Sequence, residues 1–161
     1  MNNNELLRNL RRALAANENT MADIYAKSGR AISPDEMKQR LKHANEDGFA
    51  QCDDETAACF LEALIVHRRG PKPDQPPAEL KLPLNNNLIL KKLRIAFDLK
   101  EDDLRGILAS VDVELSKQEL NALFRRQDHK NFQPCDEGLL RGFLRGLVER
   151  ERVKSSAPNT D

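Results

Sequence analysis

Leu6, Leu7, Leu10 and Leu14 fall at spacings that place them on one face of a helix. Ile89, Leu90, Leu93 and Phe97 draw the same stripe further along the chain. Each stripe follows a run of three asparagines, Asn2-Asn3-Asn4 or Asn85-Asn86-Asn87. Asparagine is a good N-cap, and the last of each run is the expected cap. A short second helix is expected around Met21, Ile24 and Tyr25, with Leu104, Ile107 and Leu108 as its counterpart. Asp102 and Asp103 suit the positive N-terminal end of the counterpart. The third helix has the clearest start, because Ser33-Pro34-Asp35-Glu36 is a capping box with proline at the first helical position. Ser116-Lys117-Gln118-Glu119 repeats the box without the proline. Met37 and Leu41, or Leu120, Leu123 and Phe124, then face inward. A fourth helix starts at Asp53, or at Asp136, as N-cap. Its stripe is Phe60, Leu61, Leu64 and Ile65, or Phe143, Leu144, Leu147 and Val148. His67-Arg68-Arg69-Gly70 closes the first of these helices: cations complement a helix C-terminus, and glycine suits a left-handed cap.

These pairs are one pattern written twice. Offset by 83 positions, residues 2–70 align with 85–153 without a gap, and about a quarter of the positions are identical. Chance likeness between two helical stretches would scatter, whereas these matches gather at apolar and capping positions. Pro71, Pro73, Pro76, Pro77 and Pro83 lie within residues 71–84 and predict an extended linker, since proline lacks a backbone donor and fixes φ. Residues 154–161 are small and polar and predict a flexible tail. The expected fold is all-α: two tandem four-helix modules, residues 2–70 and 85–153, related by an internal repeat. A module of this size buries only about 60% of its unfolded surface. The copies are therefore expected to pack on each other as a pseudo-dimer about a pseudo-twofold axis.

Composition narrows the class. Aromatic residues are 4% of the chain, there is no tryptophan, and charged residues are 32%, which fits a helical protein and disfavours a sandwich or barrel. Acids and bases balance at 26 each, so no net field steers polyanions. No apolar stretch approaches the roughly 20 residues that span a bilayer, so no membrane partner is expected. Met1-Asn2-Asn3-Asn4-Glu5 lacks the basic start and apolar core of an export signal. Three cysteines, an odd number, then suggest reduced thiols and a cytoplasmic location.

The densest polar cluster is Asp128-His129-Lys130-Asn131-Phe132, followed by Cys135. A zinc site would need neutral histidine and thiolate with further ligands. The matching stretch Asn45-Glu46-Asp47-Gly48-Phe49, then Cys52, keeps the phenylalanine and cysteine but not the histidine, so no metal or cofactor is expected. An enzyme reading would have His129 activate Cys135 as a nucleophile, but Cys52 has the same helix start without a histidine, and no third orienting group is identifiable. No catalytic residue is therefore expected. The simpler reading makes the phenylalanine a core plug under a loop, the cysteine a small buried residue, and the next aspartate a cap. Cys59 aligns with Gly142 and reads as packing.

The second and third helices loosely resemble a helix-turn-helix, with Lys38, Arg40 and Lys42, or Arg125 and Arg126, on the candidate recognition elements. Gly29 becomes Asp112 in the second copy, so the turn glycine is not kept. Charge also opposes the reading: residues 2–70 carry ten bases and eleven acids, and residues 85–153 thirteen and twelve. DNA-binding domains usually carry a marked basic excess. Lys91-Lys92-Leu93-Arg94 with Arg141, Arg145 and Arg150 read as a solvated face paired with carboxylates.

Asn85-Asn86-Asn87, Lys91-Lys92-Leu93-Arg94-Ile95-Ala96-Phe97, Leu99-Lys100, Asp128-His129-Lys130-Asn131-Phe132 with Cys135, and Phe143-Leu144-Arg145-Gly146-Leu147 together resemble the second half of the bacterial YehS-like proteins. Leu7-Arg8, Leu10-Arg11, Phe49 and Cys52 are similar to their first half. The resemblance covers nearly everything from residue 2 to about residue 154 and implies a cytoplasmic bacterial group with a duplicated domain. It supplies no catalytic residues. The expected function is a non-enzymatic interaction or adaptor module that takes a protein partner in a groove between the copies. Asp128, His129, Lys130 and Asn131 are the surface candidates, alongside Arg125 and Arg126. The alternative is a nucleic-acid-binding regulator using a helix-turn-helix-like pair in each module, which the charge balance does not favour.

Overall fold

The stripes and caps produce helices where the spacing places them. The computed structural model describes residues 1–71 and 79–156. In the first copy these are α1 (Asn3–Leu14), α2 (Glu18–Ala26), α3 (Pro34–Leu41) and α4 (Asp54–Arg69). In the second they are α5 (Asn86–Ala96), α6 (Glu101–Ala109), α7 (Lys117–Leu123) and α8 (Glu137–Ser156). Among the described residues there is no strand.

Local chemistry explains the starts. Ser33 and Ser116 form reciprocal capping boxes with Glu36 and Glu119. The Asp53 carboxylate accepts from Thr56 N at 2.7 Å, and Asp136 accepts from Leu139 N at 2.7 Å. At the start of α6, Asp103 reaches back to the Lys100 amide at 2.8 Å. α4 stops at Gly70, whose φ of +83° pairs with an extended ψ of 158°. That is a positive-φ exit, not the left-handed cap expected from sequence.

Two turns keep an unusual backbone in both copies while changing residue. Ala15 and Asp98 have φ of +49° and +51°, and Gly29 and Asp112 have +87° and +63°. Aspartate tolerates the left-handed region better than most side chains, so the turn survives although its glycine is not kept.

The matched side chains fill one continuous core. Leu7/Leu90, Leu10/Leu93, Met21/Leu104, Ile24/Ile107, Met37/Leu120, Phe60/Phe143 and Leu64/Leu147 are all buried. α4 packs against α5, and α1 against α8. Under the repeat α1 maps onto α5 and α4 onto α8, so the two contacts between copies exchange with each other. Such reciprocity is a property of twofold-related units. The polar decoration of the two contacts differs. Arg141 on α8 grips Glu5 on α1 with two bonds of 3.2 and 3.3 Å. Lys92 on α5 meets Glu62 on α4 at 2.5 Å, each side chain about one-fifth exposed.

The copies depart from one another in two places. α3 packs on both α1 and α2, whereas α7 makes no comparably close packing with any helix. α8 runs past the expected start of the tail, with Ser155 Oγ donating to Glu151 O at 2.8 Å. Copy one meets Gly70-Pro71 at that register, while copy two has no proline until Pro158. The rest of the expected tail, residues 157–161, lies outside the described residues, as do linker residues 72–78 with Pro73, Pro76 and Pro77. The described end of the linker is not helical. It packs Leu80 and Leu84 on the core, and Leu84 N donates to Asp54 at 3.0 Å.

Candidate functional site

The loop after the third helix is pinned from α1 or α5 by the asparagine runs. Asn4, 1% exposed, donates to the carbonyls of Arg40 at 2.9 Å and Ala50 at 2.8 Å and accepts from Cys52 N at 3.0 Å. Asn87 repeats this with Leu123, Gln133 and Cys135, each at 2.9 Å. Asn3 and Asn86 add bonds to the carbonyls of Cys52 and Cys135, at 3.2 and 3.0 Å. The first asparagine of each run does the capping: Asn2 accepts from Glu5 N and Asn85 from Leu88 N, both at 2.8 Å. Capping therefore falls on the first member, not the last, because the last amide is fully engaged with the loop.

The pinned loop seals a thiol in each copy. Cys52 and Cys135 are buried, and burial, reinforced by Asp53 or Asp136, pushes their pKa up to about 12 and about 11. That is the opposite of an activated thiolate. Cys59 is buried as well, and burial raises its pKa too. His129 accepts from Asn131 N through Nδ1 at 3.0 Å, which shapes the turn. Phe49 and Phe132 are half-buried in both copies and lie outside the core, so they are alike but are not the core plugs expected from sequence. Both belong to the loop, whose pinning is done by asparagine. Among the described residues no three histidine, cysteine or carboxylate side chains come together as a metal site.

Beside the loop of the second copy lies a groove of about 750 Å³. Lys81, Lys91, Arg125 and Arg126 line it, with Asp128 as the lining carboxylate among the described residues. Leu82, Leu88, Phe124 and Phe132 give it apolar walls. Arg94 lies over the Phe124 ring at 4.7 Å and donates to Leu99 O at 3.2 Å, which braces that wall from behind. Arg126 and Asp128 meet at 3.3 Å, but both are exposed and the pair is weak. The side chains of Lys91 and Arg125 make no hydrogen bond or ion pair among the described residues.

The first copy treats the same register differently. Arg8, the counterpart of Lys91, donates to Lys42 O at 3.0 Å. Lys42, the counterpart of Arg125, turns back onto Asp47 O. Gly48, at φ +82°, leaves room for this: a Cβ there would stand 3.0 Å from Lys42 Nζ. Asn131 occupies that register in the second copy and does not share the positive φ. Arg40 Nε is buried without a hydrogen-bond partner among the described residues, where the second copy has the apolar Leu123.

Of the sequence candidates, Arg125, Arg126 and Asp128 line the groove, while His129, Lys130 and Asn131 are exposed on the same loop outside it. The groove belongs to the second copy and the linker's end, not to a cleft between copies. A cleft of about 400 Å³ that both copies line lies elsewhere, beside Leu14, His67, Glu151 and Lys154. Sequence reasoning missed Lys81 and treated Lys91 as part of a paired face. Lys92, Arg141 and Arg150 are indeed paired, with Glu62, Glu5 and Asp103, but Lys91, Arg94 and Arg145 have no carboxylate partner among the described residues. The available signal was a cation kept at both 8/91 and 42/125.

Fold and groove together define an all-helical tandem-repeat protein with a basic groove beside one loop of its second copy. Residues 3–70 and 86–152 each match the family described as "Protein of unknown function (DUF1456)". The chain belongs to that family, and the YehS-like resemblance read from its residues holds. It is 40% identical over 154 residues to "Uncharacterized protein YehS" of Escherichia coli (strain K12), an alignment covering 96% of this chain and 99% of that protein. No solved structure gives a significant match.

Proposed function

We propose that the chain is a non-enzymatic interaction module of the cytoplasm that binds a protein partner through the groove of its second copy. The observation that carries the reading is the convergence of Lys81, Lys91, Arg125 and Arg126 on one apolar-walled groove, with Lys91 and Arg125 untied. Two features support a binding role over catalysis. The thiols are buried with raised pKa values, and His129 is engaged with its own turn. A cytoplasmic place is supported by three unpaired cysteines; among the described residues no helix is long and apolar enough to cross a membrane.

Two features favour protein over nucleic acid as the partner. A helix-turn-helix reads bases with the N-terminal residues of its second helix. Here α3 opens with Asp35 and Glu36, and α7 carries Glu119 in its first turn. Arg125 and Arg126 lie beyond the end of α7, and α7 does not pack on α6 as α3 does on α2. The test is crosslinking in a bacterial lysate, comparing the intact chain with K91E/R125E. Protein adducts that appear with the intact chain and vanish with the variant are expected. Adducts unchanged by the double reversal would sink the reading.

A further inference from the structure

The groove's chemistry specifies its occupant. Its lining cations lie on three separate segments: Lys81 on the linker, Lys91 on α5, and Arg125 and Arg126 on the loop. Its walls are apolar, and Leu82 is 48% exposed. Carboxylates alone would leave those walls wet, and an apolar segment alone would leave four desolvated cations. A segment carrying both satisfies the two surfaces at once. The first copy shows the same design satisfied internally: Arg8 and Lys42 are spent on the carbonyls of their own loop.

We infer that this groove takes an acidic, apolar-interleaved peptide segment of a protein partner, its carboxylates on Lys81, Lys91, Arg125 and Arg126 and an apolar side chain against Leu82 and Phe132. The inference rests on reading the chain as a protein-interaction module and names the class of segment recognised. A nucleic acid strand would share the charge and could stack on Phe132, but it carries no aliphatic side chain to set against Leu82 and Leu88. The whole chain also has no net charge to draw a polyelectrolyte in.

The experiment is fluorescence anisotropy on the full-length chain. The probes are a labelled peptide of about ten residues alternating Asp/Glu with Leu/Phe, its Asn/Gln counterpart, and a single-stranded oligonucleotide of equal charge. The acidic peptide is expected to bind at least tenfold more tightly than the other two, with affinity falling as salt rises. K91E/R125E is expected to weaken it at least tenfold, while Arg105→Glu, on the exposed side of α6, leaves it unchanged. K91Q/R125Q, checked by thermal melting beside the first variant, serves if the double reversal disturbs folding and should also weaken binding. Equal binding of the neutral peptide, equal or tighter binding of the oligonucleotide, or an unmoved affinity in both folded variants overturns the inference. Loss of lysate crosslinks in K91E/R125E without acidic-peptide binding would overturn it and leave the broader reading standing.

Discussion

Asn4, itself buried, uses one amide to hold three backbone groups. Replacing it by alanine strands two carbonyls and an N–H, and Asn4→Ala should cost about 2–4 kcal/mol in urea unfolding. Asn87→Ala should cost less, because Asn87 is half-buried and solvent can substitute. The asparagine runs were legible in the sequence as a repeated signal, but their division of labour was not. Capping is a local rule and can be read from neighbours, whereas a side chain bonded 36 and 46 residues away depends on the tertiary path. The buried thiols titrate in a direction that can be worked out. An ordinary thiol ionises near 9.0, and Cys52 in the folded chain near 12. Below pH 9 both states hold the proton and nothing changes. Above it the unfolded chain loses its proton first, so stability should fall with rising pH at about 1.4 kcal/mol per pH unit for this thiol. Urea midpoints between pH 8 and 11 would show the slope, and Cys52→Ala should reduce it by this thiol's share, leaving that of Cys135. Disulfide-exchange labelling at pH 7 should be slow in the native chain and fast in denaturant.

At the scale of elements, helix starts and core stripes were readable because they depend on spacing and caps within one turn. The seat of a helix was not. Gly146 brings α8 so close to α6 that an added Cβ would stand 2.7 Å from Ile107 O and 2.8 Å from its Cγ2. The first copy has Ala63 at that register, fully buried. Helix propensity alone would favour alanine at any helical glycine by about 0.5–1 kcal/mol. At Gly106 nothing lies within 4 Å of such a Cβ, so Gly106→Ala should stabilise by about that amount. Gly146→Ala should destabilise by about 1–3 kcal/mol, since a backbone carbonyl must move. Equal signs in thermal melts of the two variants would contradict the packing described for α8. The groove was illegible for a related reason. Gapless register carries the turn pattern of the loop, which both copies share, but not the direction of its side chains: Lys42 folds back onto Asp47 O beside Gly48, whereas Arg125 lines the groove.

At the scale of the molecule, the duplication and the all-helical class were readable, because an offset comparison needs no knowledge of contacts. What pairs with what across the copies required coordinates. α1 faces α8 through Glu5 and Arg141, and α4 faces α5 through Glu62 and Lys92. The repeat-equivalent of the Glu5–Arg141 contact is Leu88 beside Ala58, and that of Glu62–Lys92 is Arg145 beside Asn9. Two first halves docked in the same way would thus strand Glu5 against Ala58 and Glu62 against Asn9. Two second halves would strand Arg141 against Leu88 and press Lys92 toward Arg145. Like therefore repels or neglects like, and only unlike halves complete both charges. Residues 1–71 and 79–161 produced separately should stay poorly folded alone and form a one-to-one complex on mixing, read by analytical ultracentrifugation. The two ion pairs between the copies thus work as a matched key and lock inside one chain, favouring its own other half over a second copy of the same half.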